Sequence, residues 1–335
     1  MKKVLILVLL ALLFCGCEKS LDKKLQELGY SEEEILKISE LNEEHQALFL
    51  EGFDETALKY IKDMAFDEEK FEEYLKYDGK LEQSLLMRLI NDGILNDKNA
   101  EKLFKMYSSE NFIAKNENLY LQYLDSYDSL EEMMEIVNTK RYEALFSDIE
   151  PVDMSKGDLI LVNKYYQLSE DYVPDDLVDI DPSLGRGQIR GKVYEAYLKL
   201  LEDARALGYN LYVVSAFRSF AYQDGLYNKY LRSDPQEVVD TYSARPGHSE
   251  HQTGMAMDVT VPGYSLDDFG TTDAAKWLNE NCCHYGFIIR YPADKTDITG
   301  YIEEPWHIRY LGVETAEDVY ARKMTYDEYY ACFVE

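Results

Sequence analysis

The sequence is short of positive charge. It has 35 lysine and arginine residues against 64 aspartate and glutamate residues, which gives a formal net charge of −29. A protein that binds nucleic acid needs a basic surface for the phosphates, so this composition argues against that class. The same excess of acid argues against electrostatic adhesion to anionic lipid. A high net charge of one sign also keeps a protein soluble.

The chain also lacks an apolar run long enough to span a bilayer. Two lysines at the start precede an apolar run over residues 4–14, which is shorter than the roughly 20 residues of a transmembrane helix but suits the core of a signal peptide. Gly16 and Cys17 follow, and a small residue before such a cysteine resembles a bacterial lipoprotein signal. We therefore expect residues 1–17 to be a lipoprotein signal peptide with lipidation at Cys17, which implies a lipid-anchored, extracytoplasmic protein. A simple secretory signal and an uncleaved anchor are the alternatives, and both also imply an extracytoplasmic location.

Cysteine is scarce. There are five, and two of them fall in the signal segment. Cys282 and Cys283 are adjacent, and neighbouring residues on a helix point roughly 100° apart, so we do not expect them to share a metal ion. Cys282 lies on an apolar helical stripe and is expected in the core. In an exported protein Cys332 could pair with either Cys282 or Cys283, and both pairings remain open.

Residues 18–155 contain neither a cluster of histidines and acids nor a glycine-rich phosphate loop. The patterns that begin at Ser31 and Ser129 are typical of capping boxes at helix starts. Asp54 and Asp67 precede apolar residues at helical spacing. No repeat period is evident. We predict an all-α region here, which serves as a spacer or docking module.

Prolines and glycines become more frequent after residue 150, and helical patterns begin to mix with short apolar runs. We predict a buried strand over 159–162, a helix over 192–207 and a strand over 211–217. The mixture lacks regular βαβ units, which indicates an α+β fold for residues 156–335.

Two motifs in this second region carry candidate metal ligands. His251 and Asp258 lie in the first, and His307 lies about fifty residues later. Two imidazoles and one carboxylate suit zinc, and three protein ligands leave the fourth position open, as in catalytic zinc sites. Alternation over residues 255–261 predicts a half-buried strand with Asp258 on the face away from the core. Gly254 permits a turn that brings His251 back over this strand.

Several polar residues near these motifs are candidates for chemistry. Glu304 stands three residues before His307 and is free to act as a general base. Arg218 should project from the end of a strand toward an oxyanion or a substrate carboxylate, and Arg245 competes with it for that role. Gln223 and Ser249 are candidates for hydrogen bonds to a peptide.

The sequence resembles the VanY-type D-alanyl-D-alanine carboxypeptidases in two motifs, Ser249-x-His251-x-x-Gly254-x-Ala256-x-Asp258 and Glu304-Pro305-Trp306-His307-x-Arg309-Tyr310. Residues 215–219 and 299–301 fit the same family, so the resemblance covers roughly residues 156–315. It implies an α+β zinc peptidase fold shared with the Hedgehog signalling domain.

The same resemblance implies roles for individual residues. His251, Asp258 and His307 are the implied zinc ligands. Glu304 is the implied catalytic base, and Arg218 is implied to bind substrate or oxyanion. Glu303 departs from the family, where an aromatic residue is expected, and is the alternative base.

The function implied by the resemblance is removal of the terminal D-Ala from peptidoglycan stem peptides with a zinc cofactor. The nearest alternative is an L,D-carboxypeptidase that cuts a tetrapeptide stem. A D,D-dipeptidase fits the motifs less well. A non-catalytic zinc module that binds the wall or a partner is the alternative from another class.

Overall fold

The computed structural model describes residues 19–335. The predicted signal segment and Cys17 lie outside these residues. Among the described helices, none is both long enough and apolar enough to cross a membrane. Internal contacts divide the chain into two compact units, one ending at Phe112 and the other spanning Ile113–Glu335. Residues 113–155 therefore pack with the second unit, while the functional boundary at 155/156 stays a prediction.

The described part of the first unit is helical. Its α-helices are α1 (Leu21–Glu27), α2 (Glu32–Ser39), α3 (Glu43–Leu50), α4 (Glu55–Ile61), α5 (Phe71–Lys76), α6 (Gln83–Asn91) and α7 (Ala100–Tyr107). The predicted caps are confirmed at two of them. Ser31 and Glu34 form a reciprocal capping box at α2, and Asp54 accepts from the backbone N–H of Ala57 at α4. Because such short helices are marginal alone, their buried apolar faces supply most of their stability.

The helical part of the chain contains one hydrogen-bonded arrangement twice, although the sequence alone indicated no repeat. The hydroxyl of Tyr74 bonds a backbone N–H seven residues earlier and the side chain of Asn91. Tyr120 makes the same two bonds, to a backbone N–H seven residues earlier and to Asn138. The two tyrosines lie 46 residues apart and the two asparagines lie 47 residues apart; the short motif Tyr-Leu-x-Tyr is shared, while most other positions differ. The repeat is therefore visible in the contacts and weak in the sequence.

The second unit mixes helices and strands, as predicted. Its α-helices are α8 (Glu117–Tyr123), α9 (Leu130–Asn138), α10 (Gly191–Ala206), α11 (Phe220–Tyr230), α12 (Gln236–Val239), α13 (Leu266–Phe269), α14 (Asp273–Asn281), α15 (Thr296–Thr299), α16 (Val313–Arg322) and α17 (Tyr326–Tyr329). Its strands are β1 (Glu150–Pro151), β2 (Tyr166–Gln167), β3 (Leu177–Asp179), β4 (Gln188–Arg190), β5 (Tyr212–Ser215), β6 (Ala256–Thr260), β7 (Phe287–Tyr291) and β8 (Glu304–Tyr310). The predicted α+β class is confirmed.

A four-stranded antiparallel sheet in the order β5-β6-β8-β7 is the centre of this unit. One face packs on α10 and α14 in a core that includes Met257, Val259, Ile308, Tyr197 and Leu278. Strand residues alternate between the two faces, so the side chains between these core residues face the opposite side.

The predicted strand over residues 159–162 is wrong. This stretch continues from a 3-10 helix, Met154–Leu159, into irregular backbone that belongs to no strand. The side chains of residues 160–162 are buried, as the sequence indicated, but the carbonyl groups of Leu159 and Ile160 bond side chains instead of a neighbouring strand. Tyr326 donates to the carbonyl of Leu159, and Arg309 donates to that of Ile160. These bonds satisfy the buried backbone without a ladder.

None of the three cysteines among the described residues forms a disulfide with another described residue. Cys282 and Cys283 are buried, and Cys332 is half-buried. Cys282 belongs to the core beneath the sheet, as predicted. Neither of the two disulfide pairings left open by the sequence is present in the structure.

Candidate active site

The register of the central sheet brings the predicted metal ligands together. Asp258 on β6 pairs directly with His307 on β8. His251 lies on a one-turn 3-10 helix, Glu250–Thr253, just before β6. Gly254 makes the turn between them at φ 66°, and a Cβ there would lie 2.9 Å from Cγ of Arg190. The turn therefore requires glycine, and it returns His251 to the strand face that carries Asp258.

The three predicted ligands form a compact donor set. One ligand atom from each of His251, Asp258 and His307 lies within 4.8 Å of the others, and all three side chains are buried. Nε2 of His251 lies 3.3 Å from Oδ2 of Asp258, and Nδ1 of His307 lies 3.1 Å from Oδ1. The remaining nitrogen of His251, Nδ1, lies 2.7 Å from the carbonyl oxygen of Ala216. Each imidazole therefore points one nitrogen toward the shared carboxylate.

The electrostatics of this set suit a divalent cation. Burial, together with the Arg218 guanidinium, lowers the pKa of His251 to about 4, so its imidazole is neutral. Burial alone would raise the pKa of Asp258, but the neighbouring histidines and Arg218 hold it well below its usual range. Burial alone would lower the pKa of His307, but its bonds to Asp258 and Glu250 raise it to about 9. A metal ion must therefore displace a proton from His307.

Two imidazole nitrogens and a carboxylate are a donor set that zinc accepts, with a coordination position left for water or substrate. The residues present therefore fit the predicted zinc cofactor.

Glu304 stands at the edge of the donor set. One of its carboxylate oxygens lies 3.7 Å from Nδ1 of His307, and its side chain is only 12% exposed. Burial and the nearby Asp258 charge raise the pKa of Glu304 to about 7, although His307 opposes the shift. Glu303 is exposed and does not line the cleft. The geometry therefore favours Glu304 over its neighbour as the base.

Arg218 also reaches the donor set. Its Nη2 lies 2.6 Å from Nε2 of His251 and donates to Oδ2 of Asp258 at 3.1 Å. Its other nitrogens donate to the Ser215 hydroxyl and to Oε1 of Gln223. These bonds fix the guanidinium beside the donor set.

The other three predicted binding residues differ in their position relative to the cleft. Ser249 lines the cleft. Gln223 is buried with both ends of its amide engaged, by Arg218 and by the carbonyl of Ala244, so here it holds the arginine, and its contact with substrate stays a prediction. Arg245 does not line the cleft, because it forms a two-point ion pair with Asp240.

The donor set opens into a cleft of about 490 Å³. The cleft is lined by residues that sequence reasoning had not singled out, which include Arg186, Tyr222, Tyr230, Tyr242, Glu250, Tyr291 and Leu266. Most of them belong to no recognisable sequence motif and come together only in the folded structure. Glu250 is different, because it lies inside the first motif, next to His251.

A buried three-donor metal centre with an adjacent carboxyl group, set in an α+β unit, defines a metallohydrolase type of site. Residues 186–313 match the family model described as VanY, D-alanyl-D-alanine carboxypeptidase. A protein of Enterococcus faecalis (strain ATCC 700802 / V583), named D-alanyl-D-alanine carboxypeptidase, is 34% identical over an alignment of 191 residues, and the match covers 54% of this chain and 68% of that protein.

Two solved structures are also similar. The LdcB LD-carboxypeptidase is 36% identical with a TM-score of 0.51, and the match covers 55% of this chain and 90% of LdcB. A zinc complex of the D,D-pentapeptidase VanY from a VanB-type resistance cassette is 32% identical with a TM-score of 0.46, covering 51% of this chain and 98% of that one. The chain belongs to the VanY D-alanyl-D-alanine carboxypeptidase family.

Proposed function

We propose that this protein is a zinc-dependent D-alanyl-D-alanine carboxypeptidase that removes the terminal D-Ala from peptidoglycan stem peptides. The observation that carries the proposal is the buried His251, Asp258 and His307 donor set with Glu304 beside it in an open cleft. Membership of the VanY family supports the substrate class.

The residues of the chain divide the reaction between them. Bound zinc supplies Lewis-acid chemistry, which lowers the pKa of water and polarises a carbonyl group. Glu304 has a pKa near 7, so it can take the proton of the attacking water and return it to the departing amine. Arg218 places a fixed positive charge where the carbonyl oxygen gains negative charge. The cleft orients the peptide so that its scissile bond meets these groups.

An L,D-carboxypeptidase is the second candidate. It is supported by the similarity to the LdcB LD-carboxypeptidase, at 36% identity and a TM-score of 0.51. Both activities use the same hydrolytic groups and differ in the residue that precedes the terminal D-Ala. The distinction therefore depends on the cleft wall and not on the metal centre.

Mass spectrometry of two peptides separates the candidates. The zinc-loaded protein is given a stem pentapeptide ending in D-Ala-D-Ala and a tetrapeptide ending in a single D-Ala. Loss of one alanine from the pentapeptide supports the proposal, and loss from the tetrapeptide alone supports the second candidate. Release of intact D-Ala-D-Ala, or no cleavage of either peptide, contradicts both.

We further propose that the protein is anchored outside the cytoplasm through a lipid on Cys17. The supporting feature is the apolar run over residues 4–14 followed by Gly16 and Cys17. In bacterial cells a labelled fatty acid should be incorporated into the wild-type protein and not into Cys17→Ala, whose uncleaved apolar segment can still hold it in the membrane. No label in the wild-type protein, or equal label in the variant, would show that the lipoprotein proposal is wrong.

A further inference from the structure

Glu250 is the one acid of the first motif that the mechanism above does not use. It lies next to His251 in sequence, yet its side chain is fully buried and points to the other histidine. Oε2 of Glu250 lies 3.3 Å from Nε2 of His307, the nitrogen opposite the one that faces Asp258. A carboxylate in this place can accept a hydrogen bond from the Nε2–H group.

Two buried arginines fix the orientation of this carboxylate. Oε1 of Glu250 accepts from Nε of Arg290 at 2.8 Å and from Nη1 of Arg309 at 2.9 Å. Burial alone would raise the pKa of Glu250, but these two guanidinium groups hold it well below its usual range. One oxygen is thus committed to the arginines, and the other faces the imidazole.

The arginines are themselves held in place. Nη1 of Arg290 donates to Asp327 near the C-terminal end of the chain at 2.6 Å. Nη2 of Arg309 donates to the carbonyls of Asp158 and Ile160. Since these partners come from distant parts of the second unit, the carboxylate has little freedom to turn.

We infer that Glu250 is a positioning residue for the metal centre, which fixes His307 as the tautomer with hydrogen on Nε2 and a lone pair on Nδ1. This inference rests on the proposed function, because it assigns His307 to zinc through Nδ1. A carboxylate behind a metal-binding histidine orients the ring and makes it a better ligand, and loss of such a partner typically costs about 10–100-fold in metal affinity or activity.

The variant Glu250→Gln tests the positioning role, because it replaces the hydrogen-bond acceptor that faces His307 with a donor. The arginines only donate, so they must keep the amide oxygen of the glutamine. Its NH₂ group then faces Nε2 of His307, and a donor now meets the Nε2–H group. The favoured response of the ring is to move its hydrogen to Nδ1, the atom needed by zinc. We expect zinc affinity to fall by about 10–100-fold.

Glu328→Gln is the matched control. Glu328 is also a buried acid, held by Lys295 at 2.8 Å and by the backbone N–H of Thr325, and it contacts neither histidine. Zinc affinity of each full-length variant is measured by competition with a chelator, after circular dichroism has confirmed folding. Weaker binding in Glu250→Gln alone supports the inference. Unchanged binding in Glu250→Gln, or an equal loss in both variants, overturns it.

A measurement on the unaltered zinc-loaded protein covers the case in which Glu250→Gln does not fold. A long-range ¹H–¹⁵N spectrum should show His307 with hydrogen on Nε2 and metal on Nδ1. Metal on Nε2 would overturn the inference. The proposed function has a separate readout, since peptide cleavage with unaltered zinc affinity in Glu250→Gln rejects only the positioning role. A zinc-binding protein that shows the predicted loss and cleaves neither peptide rejects only the proposed function.

Discussion

The two units of the chain place their charges differently. In the described part of the first unit, residues 19–112, His45 is the only buried polar residue apart from tyrosines. The second unit buries a connected set of charges that includes Glu250, Asp258, Arg290 and Arg309. Charged groups are costly to bury unless they are paired, so a buried network marks a part of the fold whose geometry is constrained.

The acidic composition is therefore a poor guide to function, whereas the location of charge is informative. In the first unit, acids such as Glu34 and Asp54 cap helix starts near the surface. In the second unit, acids contact the histidines of the donor set. Variants in the two units can test whether this difference in charge placement affects zinc binding, stability and cleavage.

The largest effect is expected at the donor set. His251→Ala, Asp258→Ala and His307→Ala should each lose zinc and peptide cleavage together, because each removes one of three protein ligands. Elemental analysis and a cleavage assay on the same samples provide the check. His45→Ala, in the first unit, is the control and should keep both. Stoichiometric zinc in any of the three site variants would remove that residue from the ligand set.

The buried network should also be costly to break. Arg290→Met leaves the buried carboxylates of Glu250 and Asp327 without one of their partners, so we expect unfolding to become easier by about 3–5 kcal/mol. Lys62→Met, which breaks a more exposed pair with Glu34 in the first unit, should cost about 1 kcal/mol or less. Urea unfolding of both variants in chelator measures the difference. Similar losses would contradict the contrast between the two units.

Zinc affinity should depend on pH because of the proton held by His307. The pKa of His307 is raised to about 9, so the metal must displace this proton at lower pH. The apparent association constant should therefore rise about tenfold per pH unit between pH 6.5 and 8. Calorimetric titration in two buffers of different ionisation enthalpy counts the protons released. An affinity independent of pH in this range would show that His307 binds no proton in the metal-free protein.

Truncation should have the smallest effect, and it tests the boundary between the regions. Chains 113–335 and 156–335 should both cleave a soluble peptide if the predicted boundary at 155/156 is functional. The shorter chain loses the bond from Arg141 to the carbonyl of Asp297 and the contact of Phe146 with Arg245. If these contacts contribute about 2 kcal/mol, its melting temperature should fall by roughly 4–8 °C. A folded but inactive 156–335 chain would show that residues 113–155 belong to the enzyme.

Much of the candidate site could be predicted because its three predicted ligands lie in two short motifs. Asp258 and His307 are on paired strands, and His251 is on the turn of helix just before the first of them. The alternation around Asp258 predicts which strand face it occupies, and Gly254 predicts the turn that returns His251 to that face. In the structure both residues lie beside His307. The α+β class followed from the same local patterns, since apolar periodicity is set by each element alone.

The rest depends on contacts between residues far apart in sequence. Glu250 could not be assigned to His307, because its orientation depends on Arg290 and Arg309 from two later strands. The strand predicted at 159–162 is absent for a similar reason, since side chains from much later in the chain donate to the carbonyl groups of Leu159 and Ile160. Local patterns contain no information on such partners.

In the proposed mechanism Glu304 performs proton transfer at the metal centre. Glu304→Gln keeps nearly the same shape, so zinc content and peptide binding should survive while kcat falls by about 10²–10⁴-fold. Glu303→Gln is the matched control, because the neighbouring acid is exposed and lies outside the cleft; its kcat should change little.

Steady-state kinetics on the two zinc-loaded variants, Glu304→Gln and Glu303→Gln, is the most direct measurement. We expect an inactive Glu304→Gln enzyme with full zinc and an active Glu303→Gln enzyme. An active Glu304→Gln enzyme beside an inactive Glu303→Gln enzyme would show that Glu303 is the catalytic base. Two active variants would contradict the hydrolytic mechanism itself.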